Sequence, residues 1–251
     1  MSGQTARSVM AGGMIETLVF IRSSTGAPMG QDNVYFVTGT DTGVGKTFIA
    51  GAILRAARTH GLTCVGYKPI AAGATPRDGA LVNEDALELI EAAGTERDYA
   101  DINPVVLRPA IAPHIALGQV DRLVTARELA EACPKGAAFT LVEGAGGWLV
   151  PLNERETLAD VCAALSAKVI LVVAMKLGCL NHALLTADAI ESAGLKLAGW
   201  VANSPGDPMP FLAENIDTLR QRLAGPCLGV VPRLDRPEDA VTYLDLEFLW
   251  D

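Results

Sequence analysis

The chain has 251 residues, half of them hydrophobic and a fifth charged, with a formal net charge of −9. That length suits one α/β domain with a sizeable core, and the acidic balance excludes non-specific nucleic-acid binding, which needs a basic footprint. No apolar run reaches the length of a membrane span, and five cysteines without CxxC spacing beside three histidines point to buried free thiols in a reducing cytoplasm rather than a disulfide or zinc framework.

Residues 1–30 read as an N-terminal extension, poorly ordered or non-native, with Met14 and Met29 as alternative starts; the domain proper is 31–251. Val34 opens a β-rich run over 34–38, followed by the loop GTDTGVGKT at 39–47. Residues 46–59 set Ile49, Ala52, Ile53 and Ala56 on one helical face, and Gly61 stops that helix. A second strand at 63–67 is cut off by Pro69. Residues 69–118, broken by five prolines, read as an elaborated connection carrying one helix at roughly 84–93. Thr125 and Glu128 have capping-box spacing ahead of Leu129. Further strands are predicted at 139–143, 168–174, 197–202 and 227–231, with a helix over 181–193 ended by Gly194. There is no internal repeat or linker. Near-continuous apolar strands separated by helices predict an α/β fold: a single domain with a mostly parallel sheet flanked by helices on both faces.

Ligands of such sheets bind beyond the carboxyl ends of the strands, and the chain's chemically pointed residues fall there. The loop 39–47 is close to a Walker A motif, whose backbone N–H groups cradle phosphate at a helix N-terminus. Lys46 would reach the terminal phosphates and the Thr47 hydroxyl a Mg²⁺ ion. The simple pattern expects glycine at position 40, where this chain has Thr40. Glu143 ends an apolar strand before Gly144-Ala145-Gly146-Gly147, as a Walker-B-like metal ligand or an ordinary strand-end acid. Lys68 ends the second strand; most lysines are simply solvated. Asp85 is a metal ligand or a helix-terminus acid favoured by the dipole. The segment 175–182 opens a helix whose N–H groups could receive a carboxylate. Asn203 and Pro232 close strands where a base could lie.

In order, VTGTDTGVGKT, GYKPIAAG, NEDAL, NPVVLRPAIAPH, LVEGAGGWLVPL, MKLGCLNHALLT and GWVAN resemble the dethiobiotin synthetases, from about Val34 to Glu238. That family shows the same departure in its P-loop. The resemblance implies a P-loop nucleoside-triphosphatase fold and an ATP-dependent cyclo-ligase of biotin biosynthesis. In that reaction 7,8-diaminononanoate, CO₂ and ATP give dethiobiotin, ADP and phosphate through a carbamate and a carbamic–phosphoric anhydride.

The resemblance also implies site roles. Lys68 and Lys46 are catalytic cations, and Thr47, Asp85 and Glu143 hold Mg²⁺. ATP meets Gly43, Val44, Gly45, Lys46, Thr47 and Phe48 of the loop, then Asp85, Glu143, Gly144, Ala145 and Gly146. Asn203 and Ser204 lie at the adenine, and Pro232, Arg233, Leu234 and Glu238 complete the nucleotide pocket. Thr42, Ala72 and Gly146 meet the substrate, whose carboxylate meets Leu177, Gly178, Cys179 and Asn181 of the partner in a homodimer. Ala72 stands where many relatives carry Ser or Thr, and Gly43 lacks the side chain of a variable P-loop position. Lys68→Ala is expected to fold normally and lose turnover. Two rival readings are weaker. Partition-type ATPases carry a signature lysine where this chain has Thr40, and cobyrinate-type amidoligases need an ammonia source that nothing here provides.

Overall fold

A computed structural model describes residues 6–11, 14–20 and 33–250. Much of the N-terminal extension therefore lies outside the described residues. Within it, strands β1 (Ala6–Ala11) and β2 (Met14–Phe20) pair antiparallel, and Thr17–Val19 of β2 pair with Leu107–Val105.

The main sheet begins with β3 (Val34–Gly39), followed by α1 (Lys46–Thr59) and β4 (Cys64–Tyr67). The irregular stretch foreseen after Pro69 contains more structure than a single helix. It holds short strands β5 (Ile70–Ala72), β6 (Thr75–Arg77) and β7 (Ala80–Val82), then α2 (Glu84–Ala93) and α3 (Tyr99–Ile102). Next come β8 (Val105–Leu107) and α4 (Pro113–Gly118). The remainder alternates: α5 (Ala126–Glu131), β9 (Phe139–Glu143), α6 (Leu158–Ala164), β10 (Lys168–Ala174), α7 (Cys179–Ser192), β11 (Leu197–Asn203), α8 (Leu212–Arg222) and β12 (Cys227–Val231).

Six strands form one parallel sheet in the order β12-β11-β10-β3-β9-β4. Side chains alternate across it, so neighbouring residues serve different cores. Phe36 joins Val142, Trp200 and the helices α5–α8 on one face, while Tyr35 and Val37 join α1, Leu89 of α2 and the C-terminal turns on the other. The strands are buried on both sides, which explains their near-continuous apolar runs. The connection β3–α1–β4 covers one face and β9–α6–β10 the other. Their divergence opens a crevice at the carboxyl ends of β3 and β9, the place where such sheets bind ligands.

Local signals hold where they are strong. The Thr125–Glu128 pair forms a reciprocal capping box: the Glu128 carboxylate accepts from the Thr125 N–H at 2.8 Å, and the Thr125 hydroxyl accepts from the Glu128 N–H at 3.2 Å. Thr125→Ala is expected to cost about 1 kcal/mol. A thermal melt should show this as a midpoint roughly 2–4 °C lower for a domain of this size. All five cysteines are free, four of them buried. Among the described residues, no helix is long and apolar enough to cross a membrane.

Candidate active site

Three adjacent strands deliver the chemistry side by side, since β3, β9 and β4 are consecutive neighbours in the sheet. β3 runs into the glycine-rich loop, β9 ends on Glu143, and Lys68 follows β4. Gly43 and Gly45 both have positive φ, +72° and +89°, which lets the loop curl back before α1 starts. Thr40 N–H ties the loop's start to the Val172 carbonyl of β10 at 3.1 Å. Its apex is held by Asn203, whose amide nitrogen donates to the Val44 carbonyl at 2.8 Å. That bond commits one hydrogen of the Asn203 NH₂ group and fixes its orientation, which leaves Oδ1 as an acceptor suited to an exocyclic amino group.

Lys68 is the hub. Its Nζ lies 2.7 Å from Asp85 Oδ2, 2.7 Å from Glu143 Oε1 and 3.3 Å from the Gly144 carbonyl, so all three ammonium hydrogens are used. The Thr47 hydroxyl donates to the same Glu143 oxygen at 2.8 Å. Lys68 and Glu143 are both fully buried. Burial alone would lower the lysine's pKa, but the adjoining Glu143 and Asp85 carboxylates outweigh it and the net shift is upward. Burial also raises the Glu143 pKa against the pull of Lys68. For Asp85 burial is overcome by Lys68, and its pKa falls. Lys46 is buried with less compensation, and desolvation brings it down to about 8. Its Nζ donates to the Asp41 carbonyl at 3.1 Å across the loop.

Glu143 Oε2 is buried without a hydrogen-bond partner. A buried carboxylate oxygen in that state needs a cation or donor, and the hydroxyl and carboxylate oxygens of Thr47, Asp85 and Glu143 suit a hard ion such as Mg²⁺. Among the described residues no group of three or more His, Cys, Asp or Glu side chains forms a metal cluster.

A cavity of about 700 Å³ opens on this cluster. Thr42, Gly43, Gly45, Lys46, Thr47, Lys68, Ala72, Asp85, Glu143, Ala145 and Gly146 all line it, as do Ala71, Ala110, Ile111, Ala112, Pro113 and Val150. The last six fall within the quoted segments GYKPIAAG, NPVVLRPAIAPH and LVEGAGGWLVPL but were not singled out as site residues, because small apolar side chains carry no chemical mark of their own. Val44 is buried beneath the loop, Phe48 packs partly buried on the α1-side core, and the Gly144 carbonyl faces Lys68. Asn203, Ser204 and the segment Pro232–Leu234 sit together at the neighbouring ends of β11 and β12, where Ser204 N–H meets the Val231 carbonyl. Pro232 and Arg233 are exposed, Leu234 is partly buried against the α1-side core, and Glu238 lies 3.4 Å from Arg236. Leu177, Gly178, Cys179 and Asn181 do not line the cavity. Leu177, Gly178 and Asn181 are exposed at the start of α7, and the Cys179 thiol is buried.

A parallel sheet with a glycine-rich phosphate loop, a strand-end acid and a lysine converging at one crevice defines a P-loop nucleoside triphosphatase of the α/β class. Residues 33–240 match the family described as AAA domain. The septum site-determining protein MinD complexed with Mg-ADP from Pyrococcus horikoshii OT3 shares the fold, with a TM-score of 0.51, 17% identity, and coverage of 80% of this chain and 82% of that one. Similarity to curated proteins is far higher. The ATP-dependent dethiobiotin synthetase BioD of Cellvibrio japonicus is 52% identical over 222 residues, covering 86% of this chain and 97% of that protein. Its counterpart in Pseudomonas aeruginosa is 48% identical over 218 residues, covering 84% and 96%. The chain belongs to the dethiobiotin synthetase family.

Proposed function

We propose that this chain closes the ureido ring of dethiobiotin from 7,8-diaminononanoate and CO₂, converting ATP to ADP and phosphate. The observation that carries the reading is Lys68: a buried ammonium held 2.7 Å from each of two carboxylates, beside the phosphate loop and within the cavity. Such a buried cation, lining the cavity, suits a reaction whose intermediates are anionic.

One substrate amine forms a C–N bond with CO₂ and loses a proton, giving a carbamate. A carbamate oxygen then takes the γ-phosphoryl group as the bond to ADP breaks. The second amine attacks the carbamate carbon and gives up a proton, and phosphate leaves with the oxygen it activated. Lys68 and Lys46 offset the negative charge of carbamate and phosphates, and the backbone N–H groups of residues 43–47 orient the phosphoryl group. Thr47, Asp85 and Glu143 would hold Mg²⁺, which supplies further charge neutralisation on the phosphates. Ala71, Ala72, Ala110, Ile111, Ala112 and Val150 offer an apolar wall for the substrate's methylene chain. Dethiobiotin formation measured by mass spectrometry should require diaminononanoate, bicarbonate and ATP together. ADP release independent of the diamine would overturn the assignment.

The substrate's carboxylate end is assigned to Leu177–Asn181 of a second copy. In support, Leu177 is 95% exposed, and Leu149 and Leu185 are also exposed; large apolar side chains left in water are a common mark of an interface. Sedimentation equilibrium should therefore return twice the chain mass, and Leu177→Asp should lower that mass and raise KM for the diamine. A monomeric wild-type enzyme at full activity would refute the shared site.

A further inference from the structure

We propose that Tyr99 and Asn103 are positioning residues for Lys68, acting through a closed ring of hydrogen bonds. The ring joins the lysine's backbone to the helix end that carries its carboxylate partner. This rests on Lys68 working in the reaction as read above.

The need for such a device follows from the local chain. The pairing of β4 with β9 ends at Tyr67, opposite Val142, and Pro69 has no N–H to give. The backbone of Lys68 is held instead by the turn after α3. Its N–H donates to the Ile102 carbonyl at 2.8 Å, and its carbonyl accepts from Asn103 Nδ2 at 2.7 Å. Asn103 is fully buried, and its second amide hydrogen goes to the Val105 carbonyl at 3.2 Å. Both of these partners are carbonyl oxygens, which can only accept, so the amide orientation is settled by chemistry.

The other end of the amide continues the ring. Asn103 Oδ1 accepts from the Tyr99 hydroxyl at 2.9 Å, and that hydroxyl accepts from the Asn83 N–H at 2.8 Å. Asn83 is the N-cap of α2: its Oδ1 accepts from the Asp85 N–H at 3.1 Å, and its Nδ2 donates to the Ala72 carbonyl at 3.2 Å. Asp85 then closes the ring through its carboxylate on Lys68 Nζ at 2.7 Å. Three chain segments, around residues 68, 83–85 and 99–103, are thereby locked to one another. A lysine is a flexible stem with a point charge, and held at both ends it loses the freedom that would blur its position. Only Lys68 and Asp85 of this ring carry charge; Tyr99 and Asn103 act through them.

Tyr99→Phe removes the bridging hydroxyl and keeps the ring's shape. Product formation should be followed in the wild type, Tyr99→Phe, Lys68→Ala and the double variant, all as full-length chains. Tyr99→Phe is expected to lower kcat about tenfold, the scale of one lost hydrogen bond, with KM for ATP little changed. In the Lys68→Ala background it should cause no further loss, since residues that act as a unit are non-additive. The same factor in both backgrounds, or an unchanged kcat in Tyr99→Phe, overturns the proposal. If Lys68→Ala alone keeps near-normal turnover, the lysine's role fails first and the ring has nothing to position. Amide exchange gives a second reading that needs no catalysis. Faster exchange at Asn83 in Tyr99→Phe is expected, and unchanged protection there refutes the ring.

Discussion

Lys68→Ala is expected to lower turnover by roughly a hundred- to thousandfold, the cost of about 3–4 kcal/mol typical of losing one preorganised charge at a transition state. The sequence suggests that such a variant folds normally, but the burial of the lysine changes that expectation. Lys68 is 3% exposed and its partner Glu143 is fully buried. Removing the ammonium leaves the buried carboxylate of Glu143 with only the Thr47 hydroxyl, its second oxygen already unpartnered. Breaking a buried ion pair from one side typically costs about 3–5 kcal/mol. Asp85, which is partly open to solvent, can relax and bring the loss toward the lower end of that range. Urea denaturation should therefore show a lower midpoint, and turnover should be compared on fully folded protein at low temperature. A variant that keeps both its stability and its rate would remove Lys68 from the centre of the site.

Gly45→Ala should cripple nucleotide binding far more than Gly43→Ala, although both glycines have positive φ. An alanine in that left-handed region costs about 1–2 kcal/mol at either position. At Gly43 a methyl group meets nothing within 4 Å, so the strain is the whole effect. At Gly45 the added Cβ would collide with Asn203 Nδ2, well inside van der Waals contact. Asn203 is buried and already bonded to the Val44 carbonyl, so it has little room to retreat. The loop must move, carrying Lys46 and Thr47 with it. A displacement near 1 Å in such a cradle costs about a hundredfold in rate. Calorimetric ADP affinity, measured beside turnover for both variants, tests this contrast. Equal losses at positions 43 and 45 would show that the Asn203 contact does not constrain the loop.

Local order and composition carried much of the fold. The six strands of the main sheet were marked by continuous apolar runs, because each is covered on both faces and needs no polar alternation. The helix over 46–59 was legible from its periodicity and its glycine stop, and that over 84–93 as the one helix of the irregular connection. Less legible were α6 and α8. The first is only seven residues long, and the second buries only Ile216 and Leu219, so neither presents a long apolar stripe. The small strands β5–β8 were hidden for a related reason. Three-residue strands among prolines take their pairing from distant partners such as Val105 beside Ile70.

For the site, the residues themselves named the chemistry. A glycine-rich loop ending in Lys46-Thr47, an acid after an apolar strand and a lysine before a proline each carry a recognisable local pattern. Their order along the chain pointed to one family. What the sequence could not show was their meeting. Residues 47, 68, 85 and 143 converge because strand order places β3, β9 and β4 side by side, and strand order is decided by packing of helices on both faces rather than by local propensity. Nor could it show that Lys68 is buried between two carboxylates, or that Tyr99 and Asn103 brace it. Hydrogen bonds across 17 to 75 residues of chain leave no periodic trace in the sequence, since each depends on where the folded backbone brings two polar atoms within 3 Å.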